Sequence, residues 1–389
     1  MPRRYLAAIA CSTLLPLMNA MPARATDWHV ERDGSGDFET IQAAVDAAED
    51  GDTILIGPGD YVEVHTVTLP GQSQPTAICV EVAHEDLTFR GVGRDEVSVG
   101  PGAVRWDERS VVFLGADRHR NWRIEGLTIQ NAQTGIEVGG SLDLSDCRLR
   151  ACRLGVFALN AQGVDVADCA FEGNDWGGVG CYDLRFGNAS VRNCQFTDSS
   201  LHFTGRFGAL VEDCTFSGGE FGIRFTGTQG AVVGTVVAGM SGYGIKMLSN
   251  ETPAAVSLDA CDIRSAGPAL DVQRSSVVAA TSCRLQGADS TTVRIASGAR
   301  LTVNLCDIYR AQDWFVECTD WAGHDGTVLD FTGNYWDGTG SPDDIADGIW
   351  DGADSEDVPV VIIFEPYVDD AMPTETASWG DVKALYRGR

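Results

Sequence analysis

The stretch LSDCRLRACRLGVFALNAQGVDVADCAF, residues 144–171, decides the fold. Cys147 stands two residues before Leu149, and the same Cys-x-apolar triplet returns at Cys169 and Phe171. Gaps of 22, 25, 20, 47, 22 and 23 residues separate seven such cysteines: Cys147, Cys169, Cys194, Cys214, Cys261, Cys283 and Cys306. A repeat at this spacing is typical of an architecture built from stacked units.

Three more patterns follow the same period. Triplets without cysteine are formed by Thr235 with Val237, Leu127 with Ile129, and Leu329 with Phe331. A ladder of apolar pairs separated by one variable residue begins at Ile136, Val156, Val179, Leu201, Ile223, Ile245, Leu270, Val293 and Val316. A third apolar run includes Leu144, Val166, Val191, Val211, Val232, Leu258 and Val303. Alternating apolar residues are a strand signature, so each repeat is predicted to hold about three short strands.

The repeat length selects the fold class. About 22 residues are too few for a βαβ unit, which needs roughly 30, but they suffice for one coil of a parallel β-solenoid. Coils stack at about 4.8 Å, the spacing of paired strands. We therefore expect an all-β rod of about 11–12 coils between Thr53 and Phe331, roughly 50–60 Å long.

The two ends of the rod need covers, because an open coil would expose its core. An apolar stripe predicts a capping helix at Phe38–Glu49, with Asp37 as its N-cap and Gly51 just past its end. Residues 26–63 then form the N-terminal cap and first coil. The segment Gly333–Val368 leaves the repeat rhythm and predicts a C-terminal cap, with a final strand at Val358–Phe364.

The run from Asp33 through Glu63 resembles the opening of pectinesterases and related right-handed parallel β-helix proteins. Asn334-Tyr335-Trp336 and the segment Asp351–Pro366 resemble a closing segment of that group, and the cysteine repeats resemble those of bacterial secreted β-helix proteins. The resemblance implies a right-handed, single-stranded parallel β-helix over residues 26–368. It implies little about activity, because many activities share this fold.

The catalytic segments of the named enzymes of this group are missing. The chain lacks the Asp-Phe-Ile-Phe-Gly and Leu-Gly-Arg-Pro-Trp segments of pectinesterases and the Asn-Thr-Asp segment of polygalacturonases. It also lacks the Asp-Pro-His-Asp of alginate epimerases and the Arg-x-Pro-x-x-Arg of pectate lyases. These absences argue against a pectinesterase and leave other carbohydrate chemistry open.

The N-terminus predicts secretion. Residues 1–25 combine two early arginines, a mostly apolar run and an Ala-Arg-Ala cleavage site, as in a bacterial signal peptide. Removing them takes away three arginines and lowers the net charge from −28 to −31. Such an acidic surface disfavours nucleic acid, and no other stretch predicts a membrane span. We expect a monomer that is secreted or at the cell surface, with a periplasmic location as the alternative.

Cysteines in a secreted chain usually form disulfides. The seven repeated cysteines would stack with parallel side chains, which gives an unfavourable torsion for bridging, so we interpret them as small core residues. The better disulfide candidates lie outside that stack: Cys79, Cys152, Cys181 and Cys318.

The variable residue of the second ladder points away from the core and forms an outward strip. Its members are Glu137, Phe157, Gly180, His202, Arg224, Lys246, Asp271, Arg294 and Glu317. The part from His202 to Arg294 is basic and is flanked by Trp176, Tyr182, Phe221 and Tyr243, which can stack on sugar rings. We predict polysaccharide binding there, with His202, Asp271, Trp176, Tyr182 and Tyr243 as contact residues. A solvated ladder of ion pairs, which only keeps this face soluble, is the alternative.

Resemblance to polysaccharide lyases of this fold implies a catalytic role for the same strip. Lys246 would be the base, its neighbouring arginines would favour the neutral amine, and Arg224 or Arg294 would neutralise a substrate carboxylate. The function hypotheses are thus a polysaccharide-binding protein, a lyase or hydrolase of acidic glycans, and a structural or adhesive rod.

Two further segments carry weaker hypotheses. An acidic stretch offers carboxylates for Ca²⁺ at Asp343, Asp344, Asp347 and Asp351, although a plain capping loop explains it equally. The tail at residues 369–389 contains Trp379, Val382 and Leu385, which a short helix would place on one side. We expect this tail to pack on the last coil or to serve as a surface-sorting segment.

Overall fold

The computed structural model describes residues 25–69, 71, 73–104, 108–115, 121–185, 187–273, 275–296, 298–319, 327–339, 341–351, 354 and 360–368. The predicted signal peptide, apart from Ala25, and the predicted tail at 369–389 lie outside the described residues.

Three sheets run along the rod, and each coil contributes one strand to each sheet in turn. Sheet 1 consists of Asp27–Val30, Thr53–Ile56, Leu87–Gly91, Trp122–Glu125, Ser141–Ser145, Gly163–Ala167, Ala189–Arg192, Gly208–Glu212, Gln229–Val233, Ala255–Asp259, Val277–Thr281, Arg300–Asn304, Thr327–Asp330 and Val360–Ile363. Sheet 2 consists of Gly59–Tyr61, Val97–Val99, Thr128–Gln130, Arg148–Arg150, Ala170–Glu172, Gln195–Thr197, Thr215–Ser217, Val236–Met240, Asp262–Ser265, Arg284–Gln286, Asp307–Tyr309 and Tyr335–Trp336.

Sheet 3 consists of His65–Val67, Thr76–Glu81, Ser110–Gly115, Thr134–Val138, Leu154–Leu159, Gly177–Tyr182, Leu201–Thr204, Phe221–Thr226, Tyr243–Leu248, Leu270–Val272, Thr291–Ala296, Trp314–Thr319 and Ile349–Trp350. His65–Val67 pairs antiparallel with its neighbour. The pairs that build the body of the rod are parallel, for example Leu154–Leu159 with Gly177–Tyr182. The predicted all-β solenoid is confirmed, with about twelve coils as the sequence indicated.

The corner between sheet 1 and sheet 2 is a single residue in the left-handed region, directly before the cysteine of each triplet. Asp146, Asp168, Asn193 and Asp213 take this place with φ of 48°, 57°, 53° and 51°. Asp and Asn tolerate this backbone better than other non-glycine residues, and in the disguised copy Gly234 takes the same place with φ 59°. The corner turns the chain sharply and directs the next side chain, usually cysteine, into the core.

The predicted registers are confirmed along the rod. In sheet 2, Leu149 pairs with Phe171 and Phe171 with Phe196. The rings of Phe171 and Phe196 stack with centroids 4.7 Å apart, and Phe196 continues onto Phe216 at 4.5 Å. Superposition of like side chains therefore holds inside the core, where each buried Phe contributes roughly 1.5–3 kcal/mol of transfer free energy.

One predicted copy of the triplet was misplaced. Leu329 lies in sheet 1, paired with Ile362, so the pair Leu329 and Phe331 does not continue the cysteine column. Asn334 and Trp336 continue it, because the left-handed corner of that coil is Gly333 (φ 72°) and Trp336 pairs with Ile308. The Asn334 amide accepts from the backbone N–H of the Cys306 residue and donates to the Val303 carbonyl, which links consecutive coils.

The N-terminal helix is shorter than predicted and has a different N-cap. It spans Ile41–Ala47, and the Thr40 hydroxyl accepts from the Ala43 N–H at 3.3 Å. Asp37 is not the cap, because its carboxylate accepts from the His29 N–H in the strand Asp27–Val30. Ile41, Ala44 and Val45 are buried and join the core, while the helix's role as a lid stays a prediction.

The C-terminal segment keeps more of the repeat than predicted. It adds one strand to each sheet, and its sheet 1 strand, Val360–Ile363, lies within the predicted Val358–Phe364. A short helix, Pro342–Ala346, stands between the strands of sheets 2 and 3. The described strands of the segment thus continue the three sheets, while its role as a cap stays a prediction.

The repeated cysteines are buried free thiols, as predicted. Their Sγ atoms donate to the carbonyl two residues earlier, as Cys169 does to Ala167 at 3.1 Å. The disulfide prediction is wrong for Cys152, Cys181 and Cys318, which are also buried free thiols, and the fourth candidate, Cys79, is buried as well. The register gives one reason: Cys181 pairs with Ala158 and Phe203, and Cys318 pairs with Ile295. Burial raises the pKa of Cys181 to about 12, so it is no nucleophile at neutral pH.

Candidate functional site on the outer face of sheet 3

The predicted outward strip is one continuous column in sheet 3. Strand pairing places its nine members opposite one another in this order: Glu137, Phe157, Gly180, His202, Arg224, Lys246, Asp271, Arg294 and Glu317. At about 4.8 Å per coil, the column from His202 to Arg294 is roughly 19 Å long. The sequence pattern alone thus brought these residues together correctly.

Aromatic side chains line the edge of sheet 3 where the chain enters from sheet 2. The rings of Phe221 and Tyr243 stack at 5.1 Å with an interplanar angle of 16°. Two coils before Phe221, Trp176 is 54% exposed, and the Arg153 guanidinium lies 3.7 Å from its ring centroid. The sequence analysis did not include Arg153. Its position could have indicated it, because Arg153 lies one coil before Trp176 at the same turn into sheet 3.

Arg224 is held by this aromatic edge. Its guanidinium lies 4.6 Å from the Phe221 ring, and its Nε donates to the Tyr243 hydroxyl at 3.0 Å. Within the described part of the chain, no carboxylate lies within 4.0 Å of the Arg224 or Arg153 guanidinium. Both side chains are therefore oriented cations that no described carboxylate neutralises, which suits them to an anionic ligand.

Lys246 has a carboxylate, and not the flanking arginines, as its close charged contact. Its Nζ lies 2.6 Å from Oδ2 of Asp271, and it also faces the Tyr243 ring at 4.9 Å. Asp271 is only 2% exposed, and its other oxygen accepts from Gln273 Nε2 at 2.8 Å. Asp271 stands at its predicted place in the outward column, but neighbouring side chains cover it. The Lys246 ammonium is held beside it in an ion pair.

Arg294 forms the second pair of the ladder, with Glu317 at 3.3 Å. Together with the Lys246–Asp271 pair, this contact gives two links of the ion-pair ladder that the sequence offered as the alternative. The basic character of the strip therefore concentrates at Arg153 and Arg224, and the predicted partner of Lys246 in catalysis, Arg294, is engaged with Glu317.

His202 is a half-buried, neutral imidazole. Its Nε2 lies 3.2 Å from the Ser200 hydroxyl, and its ring meets Phe221 edge to face at 4.9 Å. Burial, followed by the charge of Arg224, lowers the pKa of His202 to about 4. The predicted contact residue is thus a support for the aromatic edge and carries no charge at neutral pH.

Tyr182 lies across Gly180 in the central column. A Cβ at Gly180 would come within 2.8 Å of the Tyr182 ring, so the missing side chain makes room for the tyrosine. Tyr182 also contacts the Phe157 ring, with centroids 5.6 Å apart. Burial raises the pKa of the Tyr182 phenol, which leaves it a neutral hydroxyl over a wide pH range.

The four predicted calcium ligands have separate structural roles. Asp343 and Asp344 lie in the first turn of the helix Pro342–Ala346, where carboxylates interact favourably with the helix dipole. Asp347 is the C-cap of the same helix. Asp351 is 8% exposed and its carboxylate accepts from the Ile362 N–H of the last sheet 1 strand. No three acidic, imidazole or thiol side chains of the described residues converge to hold a metal, so calcium binding by these four gains no support from their placement.

Comparisons with known proteins agree on the architecture. A family model described as "Right handed beta helix region" matches residues 89–235. Together with the three parallel sheets, this match shows that the described chain has the architecture of a right-handed parallel β-helix. The right-handed fold that the resemblance implied is thereby confirmed. A search of curated protein sequences finds no match.

Solved structures give distant likenesses. The catalytic domain of a GH87 α-1,3-glucanase in complex with nigerose is 10% identical, covers 88% of this chain and 69% of its own, and has a TM-score of 0.48. The Azotobacter vinelandii mannuronan C-5 epimerase AlgE4 A-module is 13% identical, with coverages of 85% and 95% and a TM-score of 0.36. Pectin methylesterase from carrot is 15% identical, with coverages of 88% and 89% and a TM-score of 0.25.

Membrane insertion through a helix has no candidate in the described residues: neither described helix reaches the length and apolar character that a bilayer crossing requires.

Proposed function

We propose that this protein binds an acidic polysaccharide along the outer face of sheet 3, from Arg153 and Trp176 to Asp271. The observation that carries the proposal is the row of aromatic rings interleaved with guanidinium groups that have no carboxylate partner among the residues the structure describes. The binding site is an open face rather than a deep pocket, which suits a polymer that lies along the rod axis.

The aromatic rings supply the apolar part of the recognition. Sugar rings present C–H faces that stack on aromatic side chains, and the 54% exposed Trp176 offers such a face. Tyr243 stacks on Phe221 and is held by Arg224, so its orientation is fixed before any ligand arrives. Fixed side chains lose little conformational entropy on binding, which favours affinity.

The guanidinium groups supply the charge preference. The chain has a formal net charge of −28, so a polyanion is repelled over most of the surface. Arg153 and Arg224 make this edge an exception, and their planar groups match carboxylates bidentately. We therefore expect a polymer whose sugars carry carboxylates, bound weakly per residue and strengthened by repetition along the rod.

The proposal describes binding rather than turnover. In this setting the predicted base, Lys246, is held by Asp271, and the catalytic set Lys246, Arg224 and Arg294 remains a hypothesis for the activity assay. The protein would act as a monomer outside the cell or at its surface, in keeping with the predicted signal peptide.

Affinity electrophoresis in gels that contain polygalacturonate or alginate tests the proposal. We expect retardation of the full protein, and a loss of at least fivefold in affinity for Trp176→Ala and for Arg224→Gln. Arg310→Gln is the matched control, because Arg310 also faces an aromatic ring, Phe315, but lies beyond the proposed site, in the turn before the strand Trp314–Thr319. If the protein released unsaturated uronate, and Lys246→Ala abolished that release, the protein would be a lyase rather than a binding protein. Equal mobility of all proteins in both gels would contradict polysaccharide binding and leave the structural rod as the remaining hypothesis.

A further inference from the structure

A second face of the rod carries a groove that is separate from the strip on sheet 3. It lies on the outer face of sheet 1, crosses five consecutive strands and has a volume of ≈ 630 Å³. Cavities of about 300–1,000 Å³ are typical of ligand sites. At about 4.8 Å per coil, its five strands span roughly 19 Å, so it suits an extended ligand.

Two columns of equivalent residues form the groove. Pairing in sheet 1 aligns the central column as Thr88, Arg123, Asp143, Asp165 and Ser190. The second column consists of the residues just before each buried strand position: Asp86, Asn121, Ser141, Gly163 and Asn188. The smallest side chains of this column are at Ser141 and Gly163, which stand between Asn121 and Asn188.

The two central carboxylates are fixed acceptors. Asp143 and Asp165 lie directly opposite each other in adjacent strands. Arg123 Nε binds Asp143 Oδ2 at 2.9 Å, and Arg192 Nη2 binds both oxygens of Asp165 at 2.9 and 3.0 Å. Both carboxylates remain about half exposed, at 48% and 49%, so the arginines orient them without covering them.

Donors and acceptors alternate around this pair. The Asn121 amide donates to Asp86 at 2.9 Å, and the Asn188 Oδ1 accepts from the Gly208 N–H, which turns its NH₂ group outward from that contact.

The chemistry of the lining selects the ligand. Three of the groove's residues are aspartates and one is an arginine, so a polyanion is disfavoured. The large apolar residues beneath it, such as Trp122 and Leu142, are buried, so an apolar ligand gains little contact. A neutral sugar chain carries neighbouring hydroxyl groups that donate to adjacent carboxylates and accept from amide and guanidinium groups.

We infer that the sheet 1 groove is a second carbohydrate site, which binds an uncharged, hydroxyl-rich oligosaccharide through Asp143, Asp165 and the flanking asparagines. The inference does not depend on the sheet 3 proposal, because the two faces share no residues and favour ligands of different charge. A chain with both faces occupied would connect an acidic polymer to a neutral one.

Titration calorimetry of the full protein with cellohexaose and maltohexaose, both uncharged, tests the inference. We expect saturable binding of at least one of them, and at least a tenfold loss of affinity in Gly163→Tyr. The structure leaves room for this change, because a Cβ at Gly163 meets its nearest atom, the Asn188 carbonyl oxygen, at 3.6 Å. The ring would then fill the groove.

Ala255→Tyr is the matched control, because Ala255 holds the same position before a buried strand residue but lies outside the groove. We expect it to bind like the parent, as we do for Arg224→Gln on sheet 3. Binding of neither oligosaccharide at millimolar concentration, or undiminished binding by Gly163→Tyr, would overturn the inference. The same preparations are also tested for retardation by polygalacturonate. Retardation would show that the sheet 3 site is intact, so that only the sheet 1 inference has failed.

Discussion

The outer faces of sheet 1 and sheet 3 use charged residues in opposite ways on one core. On sheet 3, aromatic rings surround the charges, Asp271 is 2% exposed, and Lys246 is held against it at 2.6 Å. On sheet 1, the Arg123–Asp143 pair is about half exposed on both sides. The difference shows that a solenoid register fixes which residues meet, while the side chains of the neighbouring coils decide how much water reaches them.

The largest expected effect of a single substitution on this contrast is at Asp271. Asp271→Asn leaves the Lys246 ammonium without its carboxylate in a half-buried place. Breaking a fully buried pair costs about 3–5 kcal/mol; Lys246 keeps some contact with solvent, so we expect a loss of about 2–3 kcal/mol in the free energy of unfolding. Urea denaturation measures it. A loss below about 0.5 kcal/mol would show that the pair is effectively solvated.

Acid should lower the stability of the folded protein through His202, which lies on sheet 3. Its pKa is lowered from 6.5 to about 4 in the folded protein, so the unfolded chain binds more protons between these values. The contribution to stability is complete above pH 6.5 and is lost as the pH falls towards 4, by up to roughly 3 kcal/mol.

Unfolding free energies of the parent and of His202→Gln, measured between pH 4 and 7, check this. The difference between the two proteins should change steeply across that window. Parallel pH profiles would show that the imidazole is as solvated in the folded protein as in the unfolded chain.

A steric change at Gly180 should have an intermediate effect. Gly180→Ala places a Cβ within 2.8 Å of the Tyr182 ring, so the ring must shift from its position beside Phe157. We expect a loss of roughly 1–2 kcal/mol in unfolding free energy and a change in near-ultraviolet circular dichroism. Gly163→Ala, which meets no atom closer than 3.6 Å, is the control on sheet 1. An unchanged spectrum for Gly180→Ala would contradict the proposed packing.

The smallest effect is expected on the exposed side of the comparison. Asp143→Asn removes the carboxylate that faces Arg123 at 2.9 Å, but exposed pairs contribute at most about 1 kcal/mol. We expect a stability change below that value, which salt should reduce further. A loss as large as that of Asp271→Asn would remove the distinction between the two faces.

The sequence predicted the fold well because the core imposes its own periodicity. The registers of Leu149 with Phe171 and of Arg224 with Lys246 follow from apolar spacing alone. The left-handed corners were not predicted, although Asp or Asn before the early cysteines was their signal. The misplaced Leu329 triplet shows the limit: there the corner moved to Gly333, and cysteine was replaced by Asn334, whose amide satisfies backbone groups.

The candidate site could be predicted only in part. Position in the outward column was readable from the pattern, but the burial of Asp271 and the partner of Lys246 depend on side-chain conformations and on Gln273 beside them. The sheet 1 groove was missed altogether. Its residues read as ordinary polar strand positions, and the depression arises only when Ser141 and Gly163 stack in register.

Hydroxyl-radical footprinting of the protein with and without polygalacturonate tests the central claim most directly, because it locates bound polymer on the surface. We predict protection of Trp176, Phe221 and Tyr243 on sheet 3, and unchanged oxidation of Val328 and Val361, which are 58% and 53% exposed on sheet 1. Protection of the sheet 1 valines, with Trp176 still fully reactive, would contradict the account.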